Sequence, residues 1–369
     1  MRVLFVANID FSLRHFILPL MRGARARGHE VLATCADGPL LDLPRAEGFE
    51  VLPVPMARSL SPGANWRAFG ALRELIRERR PDLVHAHFPI SGLLARVAAR
   101  VEGVPRTAYT CHGFLFNQPG PLWRRGLSLA VEWAGGRLTD TFLTVSEEEA
   151  RDARRLRIHP NPVPVLNGRD PERFHPDPAA RAAIRAELGI APDEVVVTAI
   201  SRLVRHKGYP ELLRAMESVP GVTLCVVGER LSSDHGQDME PEFERAASLM
   251  GPRLRRLGYR HDTERVLAAS DIFCLPSHFE GLPMSVIEAM LTGLPVVATD
   301  VSGPREQVVE GETGLLVPPA TVEPLAAALR RLSADAELRA RMGEAGRARA
   351  LALYDERLVV ERTLDLLGL

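Results

Sequence analysis

The chain has 369 residues and a formal net charge of −1, long for one hydrophobic core, comfortable for two domains, and without the basic excess of a nucleic-acid binder. The balance hides an asymmetry: residues 1–168 hold 22 Arg/Lys against 16 Asp/Glu and the remainder 24 against 31, which fits either an anionic partner such as a membrane surface or solvated helix faces. Cys35, Cys111, Cys225 and Cys274 are scattered without ligand spacing, no apolar run reaches membrane-spanning length, and the first six residues read as a strand, so a cytoplasmic protein is expected.

In chain order, residues 3–7 are a short apolar run, followed by a loop at 8–11 and an amphipathic stretch to about Gly28. Residues 31–34, 51–54, 83–86, 107–110 and 141–145 repeat the strand signal, with helical patterns between most of them. Short apolar strands alternating with helices predict a parallel sheet covered on both faces, ending near residue 166. Residues 161–176 (NPVPVLNGRDPERFHP) are rich in Pro, Asn and Gly and mark a boundary. A second alternation runs through 195–200, 223–227, 253–257, 272–275, 295–298 and 314–317. Helical patterns at 322–331, 335–352 and 356–367 close the chain. The prediction is an α/β protein of two doubly wound, Rossmann-like domains.

Ligands of doubly wound sheets bind outside the carboxyl ends of the strands, so the loops at 8–11, 87–90, 111–114, 201–208, 228–230 and 277–283 are expected to converge on one cleft. Residues 201–208 read SRLVRHKG, and Lys207 is the single lysine of a chain that otherwise uses arginine. Arg202 as a fork and Lys207 as a point charge can clamp a pyrophosphate from one loop, while His206 is expected to face solvent. Residues 273–293 read FCLPSHFEGLPMSVIEAMLTG: a strand end, a loop carrying Glu280, and a helix from about Ser285 carrying Glu288. A helix start with unpaired amides seats phosphate, and carboxylates beside it accept hydrogen bonds from sugar hydroxyls. Phosphate and hydroxyls together point to a nucleotide sugar. No D-x-D for a metal-held nucleotide sugar, no G-x-G-x-x-G, no P-loop and no G-x-S-x-G occurs.

The E-x7-E spacing of Glu280 and Glu288, followed by AM, TG and PVVATD, resembles the retaining glycosyltransferases of family 4, whose architecture is GT-B. N-G-x-D…RF-x-P at 167–176 and R-x4-K-G at 202–208 recur in the family's order, and the pattern is closest to capsular and exopolysaccharide transferases. The resemblance implies an acceptor-binding domain at 1–168, joined by a returning C-terminal helix at about 354–369, and a nucleotide-sugar-binding domain at 169–353. It implies that Arg202 and Lys207 hold the diphosphate, Glu280 the donor sugar and Glu288 the ribose, with Gly281, Leu282 and Pro283 keeping the loop against the ligand. Tyr259 and Arg260 follow an L-G-x-x pattern that would hold the base through backbone contacts, and His112 would stand beside the donor sugar, not as a general base.

His87 is read as approaching the acceptor or as structural, and Phe114 as an acceptor contact. Asn8 and Asp10 stand where many members carry a Gly-Gly loop; Asp10 is read as orienting the acceptor hydroxyl. Phe114–Phe116 and Pro121–Arg125 form an aromatic and basic patch, the pattern of a surface touching lipid headgroups and equally of a cover between domains. The resemblance thus implies a metal-independent, retaining transferase that needs no cofactor. It would move a sugar, most simply from a UDP-sugar, to a polyprenyl-diphosphate-linked saccharide at the inner membrane surface. A nucleotide-sugar 2-epimerase of the same architecture and a non-catalytic nucleotide-sugar binder are the rival readings.

Overall fold

Thirteen strands and their crossover helices are laid out in a computed structural model that describes residues 1–56, 61–118, 120–230 and 238–369. The described chain divides into two compact units, Met1–Asn167 with Glu356–Leu369, and Gly168–Asp355. In the first, strands β1 (Arg2–Val6), β2 (Glu30–Thr34), β3 (Glu50–Val51), β4 (Leu83–His87), β5 (Arg106–Cys111), β6 (Thr141–Thr144) and β7 (Pro162–Pro164) pair in the order β3-β2-β1-β4-β5-β6-β7. In the second, β8 (Val195–Ile200), β9 (Val222–Val227), β10 (Leu254–Arg256), β11 (Ile272–Leu275), β12 (Val296–Thr299) and β13 (Gly314–Val317) pair in the order β10-β9-β8-β11-β12-β13. Every strand pairing is parallel.

Parallel strands need crossovers, so helices cover both faces and the strands are buried through and through. All of β4 and β9 is buried, and Phe5, Val84 and Phe273 are fully enclosed. In the first unit one face packs Val3, Phe5 and Leu83 against the helix Leu18–Ala26, while the other packs Leu4, Val84 and Tyr109 against Pro62–Arg79 and Pro89–Val101. The final helix, Glu356–Leu367, returns to this unit and seats Leu364 and Leu367 in its core. Gly23 is the point of approach: a Cβ there would lie 2.6 Å from Val360 Cγ1.

Two strand boundaries differ from expectation. The seventh strand, Pro162–Pro164, lies in the stretch read as a linker; it takes the sheet edge, where proline costs fewest ladder bonds. The third strand is only Glu50–Val51, although beyond it Leu52 N and Val54 N still donate to Ala33 O and Cys35 O.

Candidate active site

Each sheet reverses its strand order once, between β1 and β4 in the first unit and between β8 and β11 in the second. At such a point neighbouring loops leave the sheet on opposite faces and open a crevice outside the strand ends. In the second unit the loop after β8 carries Arg202 and Lys207, and the loop after β11 carries Glu280.

These two loops are fastened together. His278 N donates to His206 O at 2.8 Å, and the His206 and Phe279 rings stack at 4.8 Å, so His206, read from the sequence as facing solvent, is half-buried with one face against its neighbour. Gly208 sits at φ 79°, and a Cβ there would lie 1.9 Å from Pro276 O. Only glycine suits both the left-handed backbone and that approach. The result is an ion pair between a lysine and a glutamate from different loops. Lys207 Nζ donates to Glu280 Oε1 at 2.6 Å, the two side chains being 16% and 9% exposed. Ser277 Oγ donates to the same oxygen at 2.6 Å, and Oε2 accepts no hydrogen bond from a described residue. Arg202 is exposed on the same loop.

Past Glu280 the chain runs through Gly281, buried Leu282 and Pro283 into the helix Met284–Leu291, whose first turn has no side-chain cap. The helix Ser302–Gln307 braces this loop. A Cβ on Gly303 would lie 1.8 Å from Gly281 O, and the buried Gln307 donates from Nε2 to Pro283 O at 2.9 Å. Glu288 is inside the helix and is paired with Arg169, whose Nε donates to Glu288 Oε1 at 2.6 Å. Beyond β10, Tyr259 is 43% exposed against His261, whereas the Arg260 guanidinium is committed to both oxygens of Asp262 and to Glu187. A cavity of about 430 Å³ opens outside β8–β10, lined by Leu203, Gly228, Arg230, Met239, Phe243 and Gly258.

At the equivalent point of the first unit the ends of β4 and β5 carry a histidine cluster. His85 and His87 are buried on β4, and His87 Nδ1 and His112 Nε2 share a hydrogen bond of 3.0 Å. His85 Nε2 pairs with Thr110 Oγ1 at 2.8 Å. Burial pushes the imidazoles of His85 and His112 down to about 3 and that of His87 well below its ordinary value, the neighbouring rings adding to the effect on His85 and His87. All three rings are therefore neutral near pH 7. Phe88 stacks on His112 at 4.4 Å and 18°, with Phe16 edge-on at 5.5 Å. Phe88 has φ 64°, a left-handed backbone for a bulky residue and a local store of strain. His112 Nδ1 is covered and takes no partner among the described residues.

Other expected contacts are already occupied. Asp10 Oδ1 accepts from Phe11 N at 2.7 Å and Oδ2 from Leu40 N at 3.2 Å, so this carboxylate organises its own loop and the one after β2. Asn8 Oδ1 accepts from Ile9 N. Phe114, read as an acceptor contact, is turned into the core, where it stacks on Phe116 at 4.6 Å and shows 3% of its surface. Trp123 and Leu122 of the helix Leu122–Gly136 are instead exposed, at 65% and 80%. Arg169, Ser277, Gln307 and Phe88 escaped the sequence reading; Ser277 acts on Glu280 three residues along its own loop, while the other three act by contact with a residue remote in the chain, which no spacing signals.

Known proteins match this arrangement. Residues 180–349 match the family model "Glycosyl transferases group 1" and residues 15–173 the model "Glycosyltransferase Family 4". The chain is 30% identical over 312 residues, 80% of its own length and 79% of the relative's, to a GDP-mannose-dependent monoacylated alpha-(1-6)-phosphatidylinositol monomannoside mannosyltransferase of Corynebacterium glutamicum. It is 28% identical over 291 residues, 76% and 73% of the two lengths, to the UDP-Gal:alpha-D-GlcNAc-diphosphoundecaprenol alpha-1,3-galactosyltransferase of Escherichia coli. Anabaena HepE, crystallised with UDP-glucose, shares the GT-B fold at a TM-score of 0.82 and 22% identity, over 100% of this chain and 99% of that one. Two Rossmann-like units, with a basic loop and an E-x7-E loop meeting at the second switch point, place the chain among these enzymes: it belongs to the group 1, family 4 glycosyltransferases.

Proposed function

We propose that the protein transfers a sugar, with retention and without a metal ion, from a UDP-sugar to a hydroxyl of a lipid-linked saccharide in surface polysaccharide synthesis. The observation carrying this reading is the pairing of Lys207 with Glu280 across the second switch point: one cation and one carboxylate on adjoining loops, 2.6 Å apart. Such a pair meets a diphosphate with one member and a sugar hydroxyl with the other. The E. coli relative's name joins a UDP donor to a diphosphoundecaprenol acceptor, and the HepE structure holds UDP-glucose.

In this reading the second unit binds the donor. Arg202 and Lys207 neutralise the diphosphate as charge grows on it, while Glu280 accepts from a donor-sugar hydroxyl and Glu288 from the ribose. The exposed Tyr259 and the backbone around Arg260 border the base. The first unit receives the acceptor near Asn8, and neutral His112, its ring paired with buried His87, takes no proton from it. The acceptor oxygen bonds to the anomeric carbon on the face the diphosphate leaves, the carbon–oxygen bond to the phosphate breaks, and the acceptor proton passes to the departing phosphate oxygen.

A lipid-linked acceptor is met at a membrane surface, and the helix Leu122–Gly136 suits that meeting. Its outward stripe holds Trp123, Leu127 and Trp133, with Arg124 and Arg137 beside the two tryptophans, and its one acidic residue, Glu132, is fully buried. An apolar stripe flanked by arginines lies in the plane of an anionic bilayer. No helix among the described residues is long and apolar enough to cross one.

Thermal shifts with UDP, GDP, ADP and dTDP and their common sugars test the donor, because a ligand of the native state raises its stability. The largest rise is expected with UDP. Proton NMR of the product tests retention, and an inverted anomeric centre would overturn it. Isomerisation of donor in the absence of acceptor would favour the epimerase.

A further inference from the structure

Glu288 is held from outside its own helix. Arg169 is the second residue of the second unit, occupying the variable position of the N-G-x-D segment at 167–170. Its side chain reaches Glu288 Oε1 at 2.6 Å, and the two side chains are 14% and 11% exposed. Its backbone N–H donates to Tyr354 O at 2.9 Å, and Arg169 pairs with Asp355 in a parallel bridge. One residue therefore ties together the segment by which the chain enters this unit, the segment by which it leaves, and the helix that carries Glu288.

As a staple alone the pair is poorly chosen. Covered ion pairs offset their desolvation only in part, and an apolar pair of similar volume would do as well. What the pair does supply is direction. The terminal torsion of a glutamate is broad and roughly two-fold, and a single charge-assisted contact through Nε sets it. With Oε1 taken, Oε2 accepts nothing from a described residue and is the oxygen left for a ligand.

We propose that Arg169 is a positioning residue for nucleotide binding. It fixes the Glu288 carboxylate so that Oε2 receives a ribose hydroxyl, and it thereby links occupancy of Glu288 to the pairing of the entering and leaving segments. The proposal rests on the reading of Glu288 as the ribose contact. Pre-setting the carboxylate spares the ordering cost at binding. Linkage is reciprocal: a ligand that favours the set carboxylate strengthens the Arg169–Tyr354 pairing to the same extent.

The test uses the full chain, calorimetric titration of UDP and of 2′,3′-dideoxy-UDP, and the variants Arg169→Met, Arg169→Lys, Glu288→Gln and Arg169→Met/Glu288→Gln. Arg169→Met is expected to weaken UDP about tenfold, raising the donor KM far more than it lowers kcat, while leaving dideoxy-UDP binding as in the parent. It should add nothing further in the Glu288→Gln background, and Arg169→Lys should restore part of the loss. Hydrogen exchange supplies a second readout: UDP should slow exchange at residues 168–170 and 354–356 in the parent and not in Arg169→Met. If Arg169→Met does not fold, Arg169→Lys and the exchange experiment on the parent carry the test. Additive losses in the double variant, or equal losses for UDP and dideoxy-UDP, overturn the proposal alone. Parent-like UDP binding by Glu288→Gln overturns the ribose reading, and the proposal with it.

Discussion

The two strand-order reversals occupy the same topological position and are built from opposite chemistry. At the second, Lys207, Glu280 and Ser277 make a short-bonded charged cluster whose parts come from two loops locked by Gly208. At the first, three neutral histidines, Phe88 and Phe16 make a packed aromatic cluster. A parallel sheet provides the crevice in both cases, and the residues that follow the strands decide whether it is fitted for ions or for hydroxyls and rings. In the proposed reading the charged point meets the diphosphate. In the same reading the histidine cluster faces the acceptor hydroxyl.

The sharpest way to break this contrast is to remove the charge. Lys207→Ala should weaken binding of UDP and its sugars by roughly 2–4 kcal/mol, read by calorimetric titration, because the charge-assisted contact is lost and Glu280 is left without its cation. Parent-like donor affinity would mean that the charged cluster is not the diphosphate site. Next is the lock itself. Gly208→Ala should destabilise the second unit by roughly 1–3 kcal/mol for the left-handed backbone alone, with the clash against Pro276 O adding to it, read by denaturant titration. A melting curve unchanged by that variant would show that the two loops can separate freely.

The neutral point is tested by pH. His85 and His112 are held down at about 3 in the folded chain, below their ordinary value of 6.5. Below pH 6.5 the unfolded chain binds protons that these folded rings refuse, so their contribution to stability, complete above pH 6.5, is lost as pH falls towards 3. Each ring should steepen the fall of the unfolding free energy with falling pH by up to about one proton across that window. His85→Phe should flatten the slope by one proton, and an unchanged slope would mean that the ring already titrates normally. The smallest effect on stability is expected at the outward helix face. Trp123→Ala/Arg124→Ala should shift stability by no more than about 0.5 kcal/mol and leave donor hydrolysis intact, while sedimentation with anionic vesicles falls. Undiminished sedimentation would detach the helix Leu122–Gly136 from the membrane reading.

Much of the architecture was legible in the chain because parallel strands are buried on both faces and announce themselves as short apolar runs. Residues 83–86, 195–200 and 272–275 were read within a residue or two of β4, β8 and β11. The edges were less visible. Pro162–Pro164 carries the residue that signals a linker, and only the vacant edge beside β6 makes it a strand. Of the site, Lys207 and Glu280 could be named from their motifs, but their pairing could not, since 73 residues separate them. Phe114 was misread for a similar reason. Its neighbours mark a surface, yet the ring itself follows β5 into the core and leaves the exposed role to Leu122 and Trp123.

By itself the sequence determined the period of strands and helices, the loops that follow the strand ends, and the residue types placed in them. These are local properties, set by hydrophobic spacing and backbone freedom. Only the tertiary structure decided which partner each charged or aromatic group found: Glu288 with Arg169, Lys207 with Glu280, His112 with His87 and Phe88. Such pairings depend on which strands lie side by side once the chain has reversed its order, and no short window of sequence contains that information.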